Sequence, residues 1–313
     1  MRVIFLGTPD FGIPALKNIL NSNHELVAVV SQPDRVNARN NKVIYSPVKQ
    51  FAIDNNLLLY QFENISKEGV NILLSLNADI MVTAAYGQIL SREILDICPY
   101  GVINIHASIL PKYRGSSPIQ AALLNGDDEI GVTIMQTELE VDAGDIIKIM
   151  KYPLKGYENA GECFDILSNL GGKAVVEALD EIVEGRAKYI KQDHSKATFT
   201  KKLKKQDGQL NFASNANSII NQIRAFSPWP SAYIFTSRER LIVHKANIIK
   251  NDVSGKIGEV LVSQNELIIK CKDYALSIEE VQGEGAKRMD IASYLRGKPI
   301  EKGSVITYVL ESK

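Results

Sequence analysis

The sequence predicts an α/β protein that begins with a doubly wound, mostly parallel sheet and ends in a small β-barrel or sandwich. An apolar run at 3–6 leads into a glycine-containing turn, and a helical pattern follows at 13–20, which is how such a sheet begins. Two more apolar runs, 25–31 and 80–84, have the continuous hydrophobicity of strands that are buried on both faces. The C-terminal end instead carries short β-prone runs that are separated by turn residues, at 232–236, 241–249, 258–263, 267–271 and 275–281.

The segments between these runs complete the predicted order of elements. Helical patterns lie at 47–55, 69–76, 118–125 and 216–225, and a short strand at 57–60. Strands are predicted at 103–106, 130–138 and 145–152. A long amphipathic helix is predicted at 159–183, with a break near Gly171 and Gly172 because glycine is a poor helix former.

Composition limits the class of protein. The chain has 313 residues, of which 45% are hydrophobic and 23% charged, as in an ordinary globular protein with room for two domains. No apolar run reaches the roughly 20 residues that span a bilayer, so we expect no membrane association. Cys98, Cys163 and Cys271 lie far apart, which indicates a reducing, cytoplasmic setting without disulfides or a thiolate metal site.

Charge is unevenly distributed although the formal net charge is zero. Residues 1–200 contain 18 Lys and Arg against 24 Asp and Glu, whereas residues 201–313 contain 18 against 12. The stretch 186–208 loses apolar periodicity and is rich in basic residues. We therefore predict a first domain at 1–185, a basic linker at 186–208 and a second domain at 209–313, and the basic second part favours a polyanionic partner.

The stretch from Gly101 to Gln120 is predicted to carry the chemistry. Asn104 and His106 are two residues apart in the strand at 103–106, so both side chains project from one face. Residues 108–118 contain two prolines, a glycine and paired serines and are predicted to form a loop. Open α/β sheets place their active sites where strands end in such loops. A core histidine satisfied by a neighbouring amide is the alternative interpretation of His106.

An acidic turn follows at 140–145 (EVDAGD). Asp142 and Asp145 are three residues apart, and Gly144 allows a tight backbone. A carboxylate of this turn is suited to orienting the imidazole of His106. Metal binding is the alternative, but no third ligand has suitable spacing, and we predict no metal site.

Two other segments carry less specific signals. The turn at 7–12 (GTPDFG) is not G-x-G-x-x-G, and no acidic residue ends the next strand, so a dinucleotide site is poorly supported. Residues 32–46 form a polar loop with Arg35, Arg39 and Lys42 that is too long for a simple connection. This loop is interpreted either as ordinary surface or as a segment that covers a ligand or meets a phosphate backbone.

Taken together, these motifs resemble the formyltetrahydrofolate-dependent formyltransferases. The resemblance rests on Asn104, His106, the SILPKYRG run at 108–115, and Asp142, which follows His106 by 36 positions. Further runs resemble the branch of the family that acts on initiator tRNA, and they extend along essentially the whole chain. They are GTPDF at 7–11, QPDR at 32–35, KAT at 196–198, QDG at 206–208 and IRAFSPWP at 223–230.

The resemblance implies a Rossmann-like catalytic domain and a C-terminal, OB-like barrel that binds tRNA. It implies transfer of the formyl group of 10-formyltetrahydrofolate to the α-amine of the methionine on initiator tRNA, for translation initiation, and we expect a monomer. Asn104 and His106 would hold the oxyanion, and Asp142 would set the charge or tautomer of His106 and help to remove the amine proton. The family pattern places folate contacts at Ala84, Tyr86, Gly87, Gln88, Ser108, Leu110, Pro111, Val141 and Gly144. It places tRNA contacts at Arg35, Arg39, Lys42, Lys201, Lys204 and Arg224.

Three alternatives stay open. A folate-dependent N-formyltransferase that acts on a small amine, such as an amino sugar nucleotide, shares the central motif; the linker lysines and the loop at 35–42 argue against it. A nucleic-acid-binding module with a decayed active site is disfavoured because Asn104, His106 and Asp142 are all present. A nicotinamide oxidoreductase lacks its glycine fingerprint.

Overall fold

The computed structural model describes residues 1–36, 43–250 and 253–308. The chain divides into two compact units. The first contains Met1–Pro118, Glu129–Pro153 and Phe164–Thr200. The second contains Ile119–Asp128, Leu154–Cys163 and the residues from Lys201 onward.

The first unit alternates strands and helices. Its strands are β1 (Arg2–Gly7), β2 (Glu25–Ser31), β3 (Arg35–Val36), β4 (Val43–Ile44), β5 (Leu59–Gln61), β6 (Ile80–Ala84), β7 (Val102–His106), β8 (Arg114–Gly115), β9 (Glu129–Gln136), β10 (Ile146–Pro153) and β11 (Phe199–Thr200). Its helices are α1 (Ile13–Leu20), α2 (Pro47–Asp54), α3 (Ile65–Glu68), α4 (Val70–Ser75) and α5 (Arg92–Leu95), and α6 (Pro118–Asn125) and α7 (Ala160–Val183) contain residues of both units.

A seven-stranded sheet organises this unit, in the order β10-β9-β7-β6-β1-β2-β5. The five strands from β7 to β5 run parallel to one another. Strand β9 runs antiparallel to both of its neighbours, β7 and β10. The order reverses on either side of β1, which makes the sheet doubly wound. The predicted α/β class is confirmed, and the apolar runs at 3–6, 25–31 and 80–84 all lie in central parallel strands.

The sheet is buried because its strands present apolar side chains to both faces. Ile4, Leu6, Met81 and Val102 belong to one cluster of buried residues on one face. Val3, Phe5 and Ile103, which alternate with them along the strands, are fully buried as well. This burial on both faces explains why the strands read as continuous hydrophobic runs.

Helix α7 is continuous from Ala160 to Val183, so the predicted break at Gly171 and Gly172 is wrong. A Cβ atom on Gly171 would lie 2.7 Å from Cγ2 of Ile105, and one on Gly172 would lie 2.8 Å from the backbone of Pro14. The glycines therefore serve close packing against β7 and the start of α1. Their poor helix propensity, about 1 kcal/mol each relative to alanine, is overridden by that packing.

Some element boundaries differ from the predictions. The helix predicted at 69–76 is α4, and a separate α3 precedes it, capped by Asn64, whose Oδ1 accepts a hydrogen bond from the Lys67 N–H at 3.2 Å. Strand β5 begins two residues later than predicted because the chain turns at Asn56, which has a φ of +54°. The parallel pairing of β8 with β11 joins residues 85 positions apart and has no local signal in the sequence.

From Ala216 onward, the described part of the second unit consists of an antiparallel sheet with a helix before it and a helix after it. Helix α8 (Ala216–Ala225) precedes β12 (Tyr233–Phe235), β13 (Arg240–Ile249), β14 (Val260–Ser263), β15 (Leu267–Lys270), β16 (Ala275–Gln282) and β17 (Met289–Asp290), and α9 (Ile291–Gly297) follows. The order is β12-β13-β16-β15-β14, with β17 paired to β16. Inward-facing residues such as Leu241, Ile269 and Leu276 form its core with Ile219 and Ile223 of α8. The predicted C-terminal β part is confirmed.

Cys98, Cys163 and Cys271 are free and buried. Burial raises the pKa of each thiol to about 12, so the thiolate form is scarce at neutral pH. Within the described ranges, no helix combines the length and the apolar character needed to cross a membrane.

Candidate active site

Polar residues gather at the carboxyl ends of β6 and β7, which lie side by side in the parallel part of the sheet. Strand β7 contains both Asn104 and His106, so the predicted projection of these side chains from one face follows from the observed strand. Asn104 lies beside Thr83 of β6, and His106 lies opposite Thr133 of β9. The carboxyl ends of these strands therefore hold one amide and one imidazole, each next to a threonine hydroxyl.

The amide of Asn104 is oriented by Thr83. The Thr83 hydroxyl donates a hydrogen bond to Asn104 Oδ1 at 2.8 Å. Because the amide oxygen is held this way, the Nδ2 donors point away from Thr83. Asn104 is partly exposed.

His106 lies between a carbonyl and a carboxylate. Its Nε2 atom is 3.0 Å from the Tyr113 carbonyl oxygen, and since a carbonyl can only accept, Nε2 carries the hydrogen. Its Nδ1 atom is 3.5 Å from Asp142 Oδ2. The histidine is only 6% exposed, so both neighbours act across a poorly solvated gap. The structure thus brings His106 and Asp142 together, as the sequence predicts.

Asp142 sits on a strained turn. Its φ is +52°, in the left-handed region that non-glycine residues rarely occupy. The Gly115 N–H donates to Asp142 Oδ2 at 2.7 Å, which fixes the carboxylate. Gly144 closes the turn against β9, where an added Cβ would lie 1.9 Å from the Gln136 carbonyl oxygen. Only glycine fits at that position.

The carboxylate of Asp142 therefore faces the His106 ring and accepts a hydrogen bond from Gly115. In the part of the chain that the structure describes, no three His, Cys, Asp or Glu side chains are grouped so that they could hold a metal ion.

The loop after β6 contributes chiefly backbone. Ala84 ends the strand, Ala85 and Gly87 have positive φ values of 47° and 91°, and the Tyr86 carbonyl accepts hydrogen bonds from Thr8 Oγ1 at 2.8 Å and from Gln32 Nε2 at 3.2 Å. The Tyr86 ring is buried, and burial, with a smaller effect of Glu68, raises the pKa of its phenol to about 12.

Gln88 is used within the unit. Its Oε1 accepts from the Ile65 N–H at 2.9 Å, and its Nε2 donates to the Phe62 carbonyl at 2.8 Å. These bonds attach the loop after β6 to the start of α3. The Gln88 side chain is therefore engaged in holding the loop, as is the Tyr86 carbonyl.

The loop after β7 is attached to β9 by Thr133. The Thr133 hydroxyl donates to the Ser108 carbonyl at 2.7 Å and accepts from the Leu110 N–H at 3.2 Å. The Ser108 hydroxyl donates to the Lys112 carbonyl at 2.6 Å, and the Leu110–Pro111 peptide is cis. Leu110 is buried with Met135, and Val141 is 61% exposed on the neighbouring turn.

Several residues that shape this site are not marked as site residues by any local sequence pattern. Thr83 and Thr133 look like ordinary strand residues, and Arg114 is embedded in the SILPKYRG motif. Gln192 lies in the stretch interpreted as linker, yet its side chain reaches the Asp142 turn. The presence of Arg114 within the motif is the one feature that could have indicated a role.

Of the six residues predicted to contact RNA, the structure describes four. Arg35 is exposed in β3, which pairs with β4; Arg39 and Lys42 lie outside the described residues. Lys201 and Lys204 are exposed in the second unit. Arg224 of α8 is half-buried, and its Nε donates to the Glu158 carbonyl at 2.9 Å. Arg224 therefore has a structural partner inside the second unit.

Comparison with known families decides the assignment. The family model described as "Formyl transferase" matches residues 1–179, more than half of the chain, and "Formyl transferase, C-terminal domain" matches residues 202–299. The chain belongs to the formyl transferase family. Asn104, His106 and Asp142 all lie in the range matched by the first model of that family.

Curated members of the formyl transferase family are similar over nearly their whole length. A protein named "Methionyl-tRNA formyltransferase" from Agathobacter rectalis is 41% identical over 310 residues, which cover 98% of this chain and 100% of the relative. A protein of the same name from Caldanaerobacter subterraneus subsp. tengcongensis is 38% identical over 308 residues, with the same coverage.

Two solved structures share the fold at low sequence identity. The sugar 3N-formyl transferase WlaRD, solved with dTDP and 5-N-formyl-THF, has a TM-score of 0.66 and 21% identity, over 92% of this chain and 99% of that one. HypX from Aquifex aeolicus, in complex with tetrahydrofolic acid, has a TM-score of 0.61 and 16% identity, over 99% of this chain and 51% of that one.

Proposed function

We propose that this chain transfers a formyl group from 10-formyltetrahydrofolate to the α-amine of methionine carried by initiator tRNA, and so acts in translation initiation. The observation that carries the proposal is the convergence of Asn104, His106 and Asp142 at the end of β7. The full-length similarity to proteins named methionyl-tRNA formyltransferase supports the choice of acceptor. The enzyme acts in the cytoplasm as a monomer.

Asn104 stabilises the oxyanion. Attack of the amine on the formyl carbon forms a C–N bond and leaves negative charge on the formyl oxygen. The Nδ2 donors of Asn104 are suited to that charge because Thr83 already holds the amide oxygen. One such preorganised donor is typically worth about 3–4 kcal/mol in the transition state.

His106 and Asp142 act as a pair. The Asp142 carboxylate faces Nδ1, and Nε2–H is the donor on the other side of the ring. In the structure this donor is directed to the Tyr113 carbonyl. The proposed role requires that Nε2–H exchange this partner for the formyl oxygen when substrate binds. Asp142 also helps to remove the proton that the attacking amine must lose, and the nitrogen that leaves the formyl carbon gains a proton when the intermediate collapses.

The folate ring system binds between the two loops that flank this edge. The main-chain groups of Ala84, Tyr86 and Gly87 lie on one side, and the turn from Val141 to Gly144 on the other. Ser108, Leu110 and Pro111 line the loop after β7. Gln88 contributes by fixing the first loop, because its amide is occupied by Ile65 and Phe62.

Basic residues bind the tRNA. Lys201 and Lys204 are exposed and meet phosphates together with Arg35, Arg39 and Lys42, and Arg224 shapes α8 through its bond to Glu158. Residues 1–185 form the catalytic domain, 186–208 the basic linker and 209–313 the tRNA-binding domain. Phosphate contacts release counterions, so tRNA binding weakens as salt rises.

The test is a formyl-transfer assay that offers charged initiator tRNA, free methionine and a small amino sugar nucleotide in parallel. We expect transfer to the charged tRNA alone, with a KM for tRNA that rises with salt. Transfer to the amino sugar nucleotide alone would replace the proposed acceptor by a small amine, the activity named for the structural relative WlaRD. No transfer to any acceptor would overturn the proposal.

Asn104→Ala tests the catalytic assignment within this assay. We expect kcat to fall by about 10²–10³-fold, because one oxyanion donor is lost. Asn169→Ala is the matched control, since Asn169 is exposed on α7 and its Nδ2 donates only to the backbone of its own helix. Near-normal turnover of Asn104→Ala would remove Asn104 from the mechanism.

A further inference from the structure

Gln192 is a buried polar residue in an exposed segment. It is 5% exposed, whereas its neighbours Lys191 and Asp193 are exposed. It lies after α7, beyond residues 1–179 and before residues 202–299, the ranges that the two family models match. A buried amide in such a position needs partners, because burying an unpaired polar group is unfavourable.

The hydrogen-bonding capacity of the Gln192 amide is fully used. Its Nε2 donates to the Asp142 carbonyl at 2.9 Å and to the Gly144 carbonyl at 2.7 Å. Its Oε1 accepts from Arg114 Nε at 3.1 Å and from Arg114 Nη2 at 2.8 Å. A primary amide has two donor hydrogens and two acceptor lone pairs, so these four bonds satisfy it completely.

These bonds connect the backbone of Asp142 to the strand that holds its carboxylate. Arg114 is 1% exposed and lies in β8, next to Gly115, whose N–H donates to Asp142 Oδ2. Gln192 therefore holds the main chain of the turn at Asp142, and Gly115 holds the Asp142 side chain. Between them, these contacts set where the carboxylate stands relative to His106.

The same segment also holds the other partner of His106. Thr198 Oγ1 accepts a hydrogen bond from the Tyr113 N–H at 2.8 Å, and β11 pairs with β8. Tyr113 supplies the carbonyl that receives His106 Nε2–H. Gln192 and Thr198 thus support both groups that face the imidazole, although they lie far from His106 in sequence.

The turn requires such support because it is strained. Asp142 has a φ of +52°, and Gly144 is pressed against the Gln136 carbonyl. A residue in a sparsely populated conformation persists only where its surroundings over-determine it. Without the Gln192 amide, the Asp142 and Gly144 carbonyls lose a donor and the Arg114 guanidinium loses an acceptor.

We infer that Gln192 is a positioning residue of the active site, which holds the Asp142 turn so that the carboxylate faces His106. This inference rests on the proposed function for its kinetic consequence but not for its structural one. Misplacement of a catalytic group by about 1 Å costs about 10²-fold in rate.

The test uses Gln192→Ala and Gln192→Glu in the full chain. Alanine removes all four bonds, and glutamate keeps the acceptor for Arg114 but cannot donate to the two carbonyls. We expect kcat to fall by up to about 100-fold in both, with the KM for folate within about threefold of normal. Ser195→Ala is the matched control, because Ser195 lies in the same segment and bonds only to Asp193. Its kcat is expected to be unchanged.

The Asp142→Asn background separates positioning from a general loss of folding. If Gln192 acts through Asp142, Gln192→Ala costs less than about threefold in that background, since coupled residues are not additive. Full additivity, or normal kcat in Gln192→Glu, would overturn the inference. Gln192→Glu decides the matter if Gln192→Ala does not fold.

Hydrogen–deuterium exchange supplies a readout that needs no activity. Peptides spanning 140–146 and the amide of Gly115 are expected to exchange faster in Gln192→Glu, whereas peptides of β1 and β6 keep their protection. If wild type fails to transfer formyl to tRNA, the proposed function fails while the exchange result still stands. An active wild type with unchanged exchange and kcat in the variants would defeat this inference alone.

Discussion

The Thr83 hydroxyl donates to Asn104 Oδ1 at 2.8 Å across two adjacent parallel strands. Thr83 is the penultimate residue of β6, and Asn104 is the central residue of β7, two positions before that strand ends. Because Thr83 lies in a strand, the position of its hydroxyl is fixed. The hydrogen bond to Oδ1 therefore determines the direction in which the Nδ2 donors of Asn104 point. The Asn104 amide is thereby oriented before any ligand binds.

Thr83→Val is predicted to lower kcat by about tenfold, because it keeps the volume and removes the hydrogen bond, at a cost of about 1–1.5 kcal/mol. The amide then rotates and loses its alignment with the formyl oxygen. Thr83→Ser is the control, since it retains the hydroxyl, and it should lie within about threefold of wild type. Steady-state kinetics with saturating folate measure both, and a valine variant with full kcat would contradict the orienting role.

Gly144→Ala is predicted to destabilise the protein by about 1–3 kcal/mol and to lower kcat at least tenfold. The new Cβ would lie 1.9 Å from the Gln136 carbonyl oxygen, so the backbone of the turn must move and carry Asp142 with it. Urea unfolding measures the free energy of unfolding, and the formyl-transfer assay measures kcat. Gly297→Ala is the control, because its Cβ meets nothing within 4 Å. Equal behaviour of the two variants would refute the steric explanation.

The parallel core and the first part of the site could be predicted because their signals are local. Continuous apolar runs identify buried strands, and a spacing of two residues places Asn104 and His106 on one face. The support around Asp142 could not be predicted in this way. Gln192 reaches the turn because β11 pairs with β8, and such pairing between distant residues leaves no periodic trace in either segment.

The wrongly predicted break in α7 shows a second limit. Helix propensity describes a residue in isolation, whereas Gly171 and Gly172 are selected by what lies beside them. A pair of adjacent glycines in an amphipathic pattern is compatible with a break and with a close helix–sheet contact. The sequence alone does not show which residues pack against the glycines, so only the folded structure distinguishes a break from a close contact.

Alanine at these glycines is predicted to destabilise the protein although alanine is the better helix former. Propensity favours each substitution by about 1 kcal/mol, but overpacking costs about 1–3 kcal/mol. Gly172→Ala should be the worse of the two, because its Cβ would meet the backbone of Pro14 at 2.8 Å, whereas Gly171→Ala meets the Ile105 side chain, which can shift. Chemical unfolding ranks the variants, and a gain of about 1 kcal/mol in either would refute the packing argument.

His24 is predicted to make stability depend on pH. It is 8% exposed, with Nδ1 3.3 Å from the Met1 ammonium and Nε2 3.2 Å from Asp180 Oδ1. Burial, followed by the Met1 charge, lowers the pKa of His24 below its ordinary value of 6.5, and Asp180 only partly opposes this. Between the lowered pKa and 6.5 the unfolded chain therefore binds more protons than the folded one. Stability from this group is complete above pH 6.5 and declines as pH falls below it.

The measurement is urea unfolding of wild type and His24→Gln at pH 8 and pH 5.5. Other groups titrate over the same range, so the informative quantity is the difference between the two proteins. Because glutamine does not titrate, the variant should lose less stability on acidification than wild type. Lys17→Ala is a control on the neighbouring helix α1, where the side chain is exposed, and it should keep the wild-type pH dependence. If His24→Gln and wild type lose equal stability, His24 is not buried in the neutral form, and its environment at the N-terminus has no bearing on acid stability.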